Sequence, residues 1–136
     1  SCSPAALFKD ASIAKVVPQE HENLQRNLER EVRGAHVLML WLDCDREGEN
    51  ICFEVMDICR RVNHRLRSLR ARFSAVTAND VRHALTHLNQ PNRLQSDAVE
   101  ARQEIDLRIG AAFTRFQTLV LQNRFEGLVE SLVSYG

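Results

Sequence analysis

The run Asp43-Cys44-Asp45-Arg46-Glu47-Gly48-Glu49-Asn50 places four carboxylates within seven residues. Asp43, Asp45 and Glu47 alternate. Alternate residues of an extended segment point the same way, so these three carboxylates can converge. Converging carboxylates repel one another unless a counter-charge lies between them. A hard cation with oxygen ligands is the natural counter-charge, and Mg2+ commonly uses one or two carboxylates plus phosphate oxygens. Gly48 lets the backbone turn tightly at this point. Glu49 has a simpler reading, because an acid in the first turn of a helix meets the positive end of the helix dipole. A bare D-x-D is common; the longer string behind an apolar strand is far more specific.

The elements around the run must position it. Residues 37–42, Val-Leu-Met-Leu-Trp-Leu, predict a strand buried on both faces, as in a parallel sheet. The acids follow its carboxyl end, the edge where ligands collect in open α/β sheets. Upstream, Pro18 predicts a helix start, Leu24, Leu28 and Val32 recur at helical spacing, and Gly34 marks its end. Downstream, Ile51, Val55, Ile58, Cys59 and Val62 predict the buried face of a second helix. Helix, buried strand, acidic loop and helix form an α/β pattern. Residues 66–73 predict a short strand interleaved with arginines. Thr77 and Asp80 then resemble a capping box, for a helix that Pro91 ends. A long helix is predicted from about Asp97 to Gln122, with Ser96 as its N-cap and Ala98, Ile105, Ile109, Ala112, Phe116 and Val120 as its apolar stripe. Only helices follow residue 74 or so, which predicts a domain boundary there.

The 136 residues suit one ordinary domain or parts of two, and no apolar run reaches the length of a membrane span. Net charge is zero but uneven: residues 1–59 hold 6 basic and 11 acidic side chains, residues 60–136 hold 12 and 7. Of the 18 basic residues 16 are Arg, whose planar fork fits phosphate. Arg60, Arg61, Arg65, Arg67, Arg70 and Arg72 form a run without acids, either a solvated face or a nucleic-acid contact. The cysteines Cys2, Cys44, Cys52 and Cys59 lack CxxC or zinc-finger spacing. Cys52 and Cys59, seven apart on one helix, are expected in its buried stripe as reduced thiols, which suits a reducing, intracellular compartment.

Asp43-x-Asp45-x-x-Gly48-Glu49-x-Ile51 resembles the second acidic motif of Toprim domains. The fuller form D-C-D-R-E-G-E-N-I, following L-W-L, resembles type IA DNA topoisomerases of the eukaryotic topoisomerase III kind. Arg70-Ala71-Arg72-Phe73-Ser74-Ala75-Val76-Thr77 is similar to the passage that leads out of their Toprim domain. Residues 101–118 are similar to the topoisomerase III segment almost throughout, around the core Arg102, Asp106 and Gly110. The likeness covers essentially the whole chain and is nearer the alpha form than the beta form. It implies residues 1–73 as the C-terminal part of a Toprim domain and 74–136 as the start of a helical DNA-binding domain.

The resemblance implies that Asp43 and Asp45 hold Mg2+, that Glu47 supports the same catalytic centre, and that Arg46 lies beside the cleaved strand. It also implies that the long helix lines a single-stranded DNA groove, where Arg102 meets phosphate and Asp106 orients it. Arg108 and Arg115 are further candidates. From spacing alone, Arg102 with Asp106 and Glu104 with Arg108 are i,i+4 partners that could simply brace a helix. Phe113 and Phe116 are expected in a core rather than as stacking platforms. Tyr135 lacks the family's [ST]-Y-P-R setting and is not expected to be the nucleophile, which the resemblance puts outside this chain, as it does a further catalytic Glu on an earlier strand. The resemblance further implies a RecQ-type helicase and an OB-fold scaffold protein as partners, recombination intermediates as substrates, no membrane, and a nuclear location, with a mitochondrial one in addition. Another Toprim enzyme, a primase or nuclease, and a non-catalytic DNA-binding fragment are the alternatives.

Overall fold

The structure is a computed structural model that describes residues 3–9, 11–125 and 130–131. Cys2 and Tyr135 lie outside these. The chain divides into two compact units, one of Val16–Glu100 and one of Ser1–Lys15 with Ala101–Gly136. Among the described residues no helix is long and apolar enough to cross a membrane.

The second unit holds the short helix α1 (Ala6–Lys9). In the first, Pro18 caps a 3-10 turn that leads into α2 (Glu22–Glu31), and a further 3-10 turn closes at Gly34. Strand β1 (Val37–Leu40), helix α3 (Arg46–Val62) and strand β2 (Arg67–Arg70) follow, then α4 (Ala78–Thr86). Helix α5 (Arg93–Arg124) begins in this unit and continues into the other. β1 and β2 pair in parallel, Val37 opposite Arg67 and Leu40 opposite Arg70, joined through α3. The parallel sheet with flanking helices and the helices beyond it match the architecture expected from the sequence.

Helix α3 forms because its apolar residues recur at three and four and both ends are held. Cys52, Met56 and Cys59 are buried, and Val55 and Val62 pack beside them. Met56 and Cys52 meet Leu40 of β1, while Cys59 meets Val32 and Leu66. The helix stops at Asn63, whose side-chain amide donates to the carbonyls of Val32 (3.0 Å) and Ala35 (2.8 Å) and so ties its end to the segment before β1. Burial of these apolar side chains is worth roughly 1.5–3 kcal/mol each, which makes this the core that fixes the loop between β1 and α3. Thr77 caps α4 by accepting from the Asp80 backbone N–H, the first half of a capping box, and its hydroxyl also donates to the Asp80 carboxylate.

Four expectations are corrected. β1 is not buried on both faces: Leu40 is buried, but Val37 and Met39 on the other face are exposed, because α3 covers only one side of this two-stranded sheet. Ile51 is exposed and Met56 takes the buried place in the stripe. Ser96 is not an N-cap; α5 starts at Arg93, and the Asn92 side chain accepts from the Gln95 backbone N–H (3.3 Å). Ile105, Ile109, Phe113, Phe116 and Val120 are exposed rather than core, because the described residues of that unit offer α5 little to pack against.

Candidate metal centre

β1 carries the chain to Leu42 and Asp43, where the acidic loop begins. The α3 helix starts at Arg46, so the extended stretch ends at Asp45. Asp45 is the N-cap: its Oδ1 accepts from the Gly48 backbone N–H at 2.7 Å and its carbonyl accepts from Glu49 N–H at 3.1 Å. Satisfying an orphan donor in this way is what an N-cap acid does. Glu47 therefore sits in the helical first turn and not in the alternating stretch. The convergence of three carboxylates expected from alternation is not formed, and among the described residues no three His, Cys, Asp or Glu side chains are placed to share a metal. Asp43, Asp45, Arg46 and Glu47 are all exposed.

Gly48 is needed for a different reason from the turn expected. Its backbone is helical, and a Cβ there would lie 2.0 Å from the Asp43 carbonyl oxygen. The glycine lets the start of α3 lie against the backbone of Asp43, drawing the two aspartates into one tight loop.

Behind the loop lies a buried charge cluster. Arg70 is 0% exposed and Glu49 1%. Arg70 Nε donates to Glu49 Oε1 at 3.2 Å. Its Nη1 donates to the carbonyls of Leu42 (2.8 Å) and Ala71 (2.9 Å), with a longer contact to Leu40 (3.4 Å), and its Nη2 to that of Asp43 (2.6 Å). Arg72 Nη2 also reaches Glu49 Oε1 at 2.9 Å, and the Asn92 backbone N–H donates to Oε2 at 2.8 Å. Beside it, the buried Ser96 hydroxyl donates to Asn50 Oδ1 at 3.1 Å. A guanidinium with five donors in a rigid fork suits this many fixed acceptors.

The six-arginine run is thus not one surface. Arg70 is core, Arg72 is half-exposed and paired to Glu49, and Arg60, Arg61, Arg65 and Arg67 face solvent. Sequence reading missed Glu49 and Arg70 as a buried pair. The available signal was period two: Ser68 and Arg70 share a strand face, and both are buried. Cys44, between the two aspartates, is exposed and accepts from the Phe73 backbone N–H at 3.2 Å. Cys52 and Cys59 are buried and free as expected, and burial pushes both thiols up from their ordinary pKa.

The candidate DNA residues lie in the other unit. Arg102 and Asp106 are exposed, 3.8 Å apart on α5. Arg108 pairs with Glu104 at 2.8 Å and donates to the Leu7 carbonyl at 2.9 Å, so it braces α1 to α5. Arg115 is exposed.

The donors present suit a hard cation: Asp43 and Asp45 are exposed carboxylates, and the cap occupies only one oxygen of Asp45. A Toprim domain model matches residues 9–76. The chain belongs to the Toprim family. The match contains the whole acidic loop, the Arg70–Glu49 pair and both strands. Similarity continues past it. The chain is 54% identical over 125 residues to DNA topoisomerase 3-alpha of Arabidopsis thaliana, covering 92% of this Toprim chain and 13% of that protein. It is 53% identical over 137 residues to DNA topoisomerase 3-alpha of Homo sapiens, covering 100% of this chain and 14% of that protein. Against DNA topoisomerase 3-beta-1 of Homo sapiens identity is 44% over 138 residues, with 98% and 16% covered. The chain therefore spans less than a fifth of the length of these curated relatives. Its likeness to the topoisomerase 3 proteins runs past residue 76, where the Toprim match ends, and covers essentially the whole chain.

Proposed function

We propose that this chain supplies the metal loop and the first DNA-contacting helix of a type IA DNA topoisomerase of the topoisomerase III kind. The carrying observation is a pair of exposed aspartates held at the end of a parallel strand, in a chain whose likeness to topoisomerase 3 proteins runs its whole length. In this reading the parent enzyme cuts one DNA strand by transesterification to a tyrosine, passes another strand through the gap and rejoins the first. The phosphotyrosine bond stores the energy, so no nucleotide is consumed. Asp43 and Asp45 would hold Mg2+, and Glu47, in the first turn of α3 and out of line with them, would support that centre. The bound ion supplies positive charge to phosphate oxygens and the 3′ hydroxyl, chiefly for rejoining. Arg46 lies beside the cleaved strand, and Arg102, oriented by Asp106, meets phosphate. Such contacts make binding salt-dependent and mostly blind to sequence. Arg115 is exposed for the same role, whereas Arg108 is engaged in bracing.

The chain has no [ST]-Y-P-R tyrosine and in this reading does not relax DNA alone. Its parent acts on recombination intermediates in the nucleus with a RecQ-type helicase and an OB-fold scaffold protein. The metal reading is tested by titrating Mg2+ into the protein by NMR or calorimetry. Saturable binding that disappears in Asp43→Asn with Asp45→Asn is expected; binding unchanged in the double variant would sink it.

A further inference from the structure

Arg70 is one of six closely spaced arginines, and its sequence context suggests a phosphate ligand. Its burial speaks against that: the guanidinium is fully enclosed and donates to Glu49 and to the carbonyls of Leu42, Ala71 and Asp43. Four of its acceptors are main-chain carbonyls, and two of these belong to Leu42 and Asp43, where β1 passes into the acidic loop. The chain there has left the strand and not yet entered α3, so neither ladder nor helix bonds fix it. Gly48 closes against the same Asp43 carbonyl, where a Cβ would lie 2.0 Å from its oxygen. The Asp43 carbonyl thus meets both the guanidinium and the glycine, which together restrict the peptide that carries the Asp43 side chain. Glu49 in turn holds the guanidinium, and through the Asn92 N–H fixes α3 to the segment that opens α5.

We propose that Arg70 is a positioning residue for the metal loop: its fork sets the backbone of Leu42 and Asp43, and thereby the placing of the two aspartates toward Mg2+. This rests on the metal reading above. Lysine at this place keeps the charge but offers a single nitrogen, which cannot span carbonyls on both sides of the fork. Groups that orient a metal ligand are typically worth ten- to a hundredfold in affinity.

The test is Arg70→Lys in the full-length protein, with Ser96→Ala as a variant that disturbs a neighbouring buried hydrogen bond without touching the loop. Mg2+ affinity is followed by calorimetry and amide hydrogen exchange by NMR. Arg70→Lys is expected to weaken Mg2+ binding by about tenfold or more. The amides of Gly48 and Glu49, which depend on the loop, should exchange faster relative to those of Met56 and Cys59 in the same helix. Ser96→Ala should lower thermal stability and leave both readouts alone. A folded Arg70→Lys with wild-type Mg2+ affinity and exchange pattern overturns the proposal, as does an equal loss of affinity in Ser96→Ala. Should Arg70→Lys not fold, the wild-type guanidinium NMR signals decide: they must shift on Mg2+ addition, and their indifference refutes the link. Should the wild type bind no Mg2+, the metal reading fails, and the exchange pattern alone judges whether Arg70 sets the loop.

Discussion

Glu49→Ala should be among the most damaging single substitutions in the chain. It removes the carboxylate bonded to the fully buried Arg70 and leaves the Asn92 N–H without its acceptor. Breaking a buried ion pair by deleting one partner costs roughly 3–5 kcal/mol, because the remaining charge stays enclosed. The Arg72 contact adds little, since that side chain is 41% exposed and its pair is screened, worth about 0–1 kcal/mol. Against a domain stability of about 5–15 kcal/mol, the loss is severe. At roughly 4 °C per kcal/mol it lowers Tm by about 15 °C. Replacing a buried ion pair by two apolar residues is often harmless, so Glu49→Met with Arg70→Met would ordinarily be expected to restore stability. Here it should not. Arg70 also serves the carbonyls of Leu42, Ala71 and Asp43 at 2.6–2.9 Å. Three hydrogen bonds at about 1 kcal/mol each keep the double variant roughly 3 kcal/mol below wild type. Urea unfolding followed by circular dichroism measures both. A double variant as stable as wild type, or a Glu49→Ala loss below about 1 kcal/mol, would refute the reasoning.

Gly48→Ala forces its Cβ toward the Asp43 carbonyl at 2.0 Å, so the loop or the start of α3 must move. A loss of about 1–3 kcal/mol in thermal melts is expected, together with weakened Mg2+ binding. In native protein a thiol reagent should label Cys44 promptly and reach Cys52 and Cys59 only on unfolding, as time-resolved mass spectrometry would show. Burial holds the latter two protonated, so above roughly pH 8.5 the unfolded chain releases protons that the folded chain keeps. Stability should therefore be fully present below that pH and fall as pH rises beyond it, and Cys52→Ala with Cys59→Ala should flatten the fall measured by denaturant titration. For single-stranded DNA, Arg102→Ala should shallow the slope of log affinity against log salt by about 0.7. Arg108→Ala, which removes a brace to Leu7, should lower Tm and leave that slope alone.

The elements were legible where one local rule sufficed. Thr77 and Asp80 announced their cap and the spacing of Val55, Cys59 and Val62 announced α3, whereas the helix expected to open at Pro18 begins as a 3-10 turn and becomes α-helical only at Glu22. The acidic loop was legible in composition but not in geometry. Alternation predicts one line of acids through Glu47, whereas the capping bond of Asp45 begins the helix earlier and turns Glu47 out of line. Glu49 and Arg70 were hidden for a physical reason: each belongs to a type that is nearly always exposed, and their pairing spans 21 residues. Serine before an apolar run favours a cap, but Ser96 lies within α5 and its hydroxyl donates to Asn50 of α3. The stripe on α5 is apolar as its spacing predicts, but of its six residues Ala112 alone is buried, since periodicity shows which face is apolar and not what covers it.

The most direct measurement is Mg2+-dependent relaxation of negatively supercoiled plasmid by the full-length protein that carries this chain, compared with the same protein bearing Asp43→Asn and Asp45→Asn. Relaxation by the wild type that needs Mg2+ and no nucleotide, and its loss in the double variant at unchanged thermal stability, is the expected result. Relaxation that proceeds equally well without those two carboxylates would contradict the assignment of this loop as the metal centre of a topoisomerase.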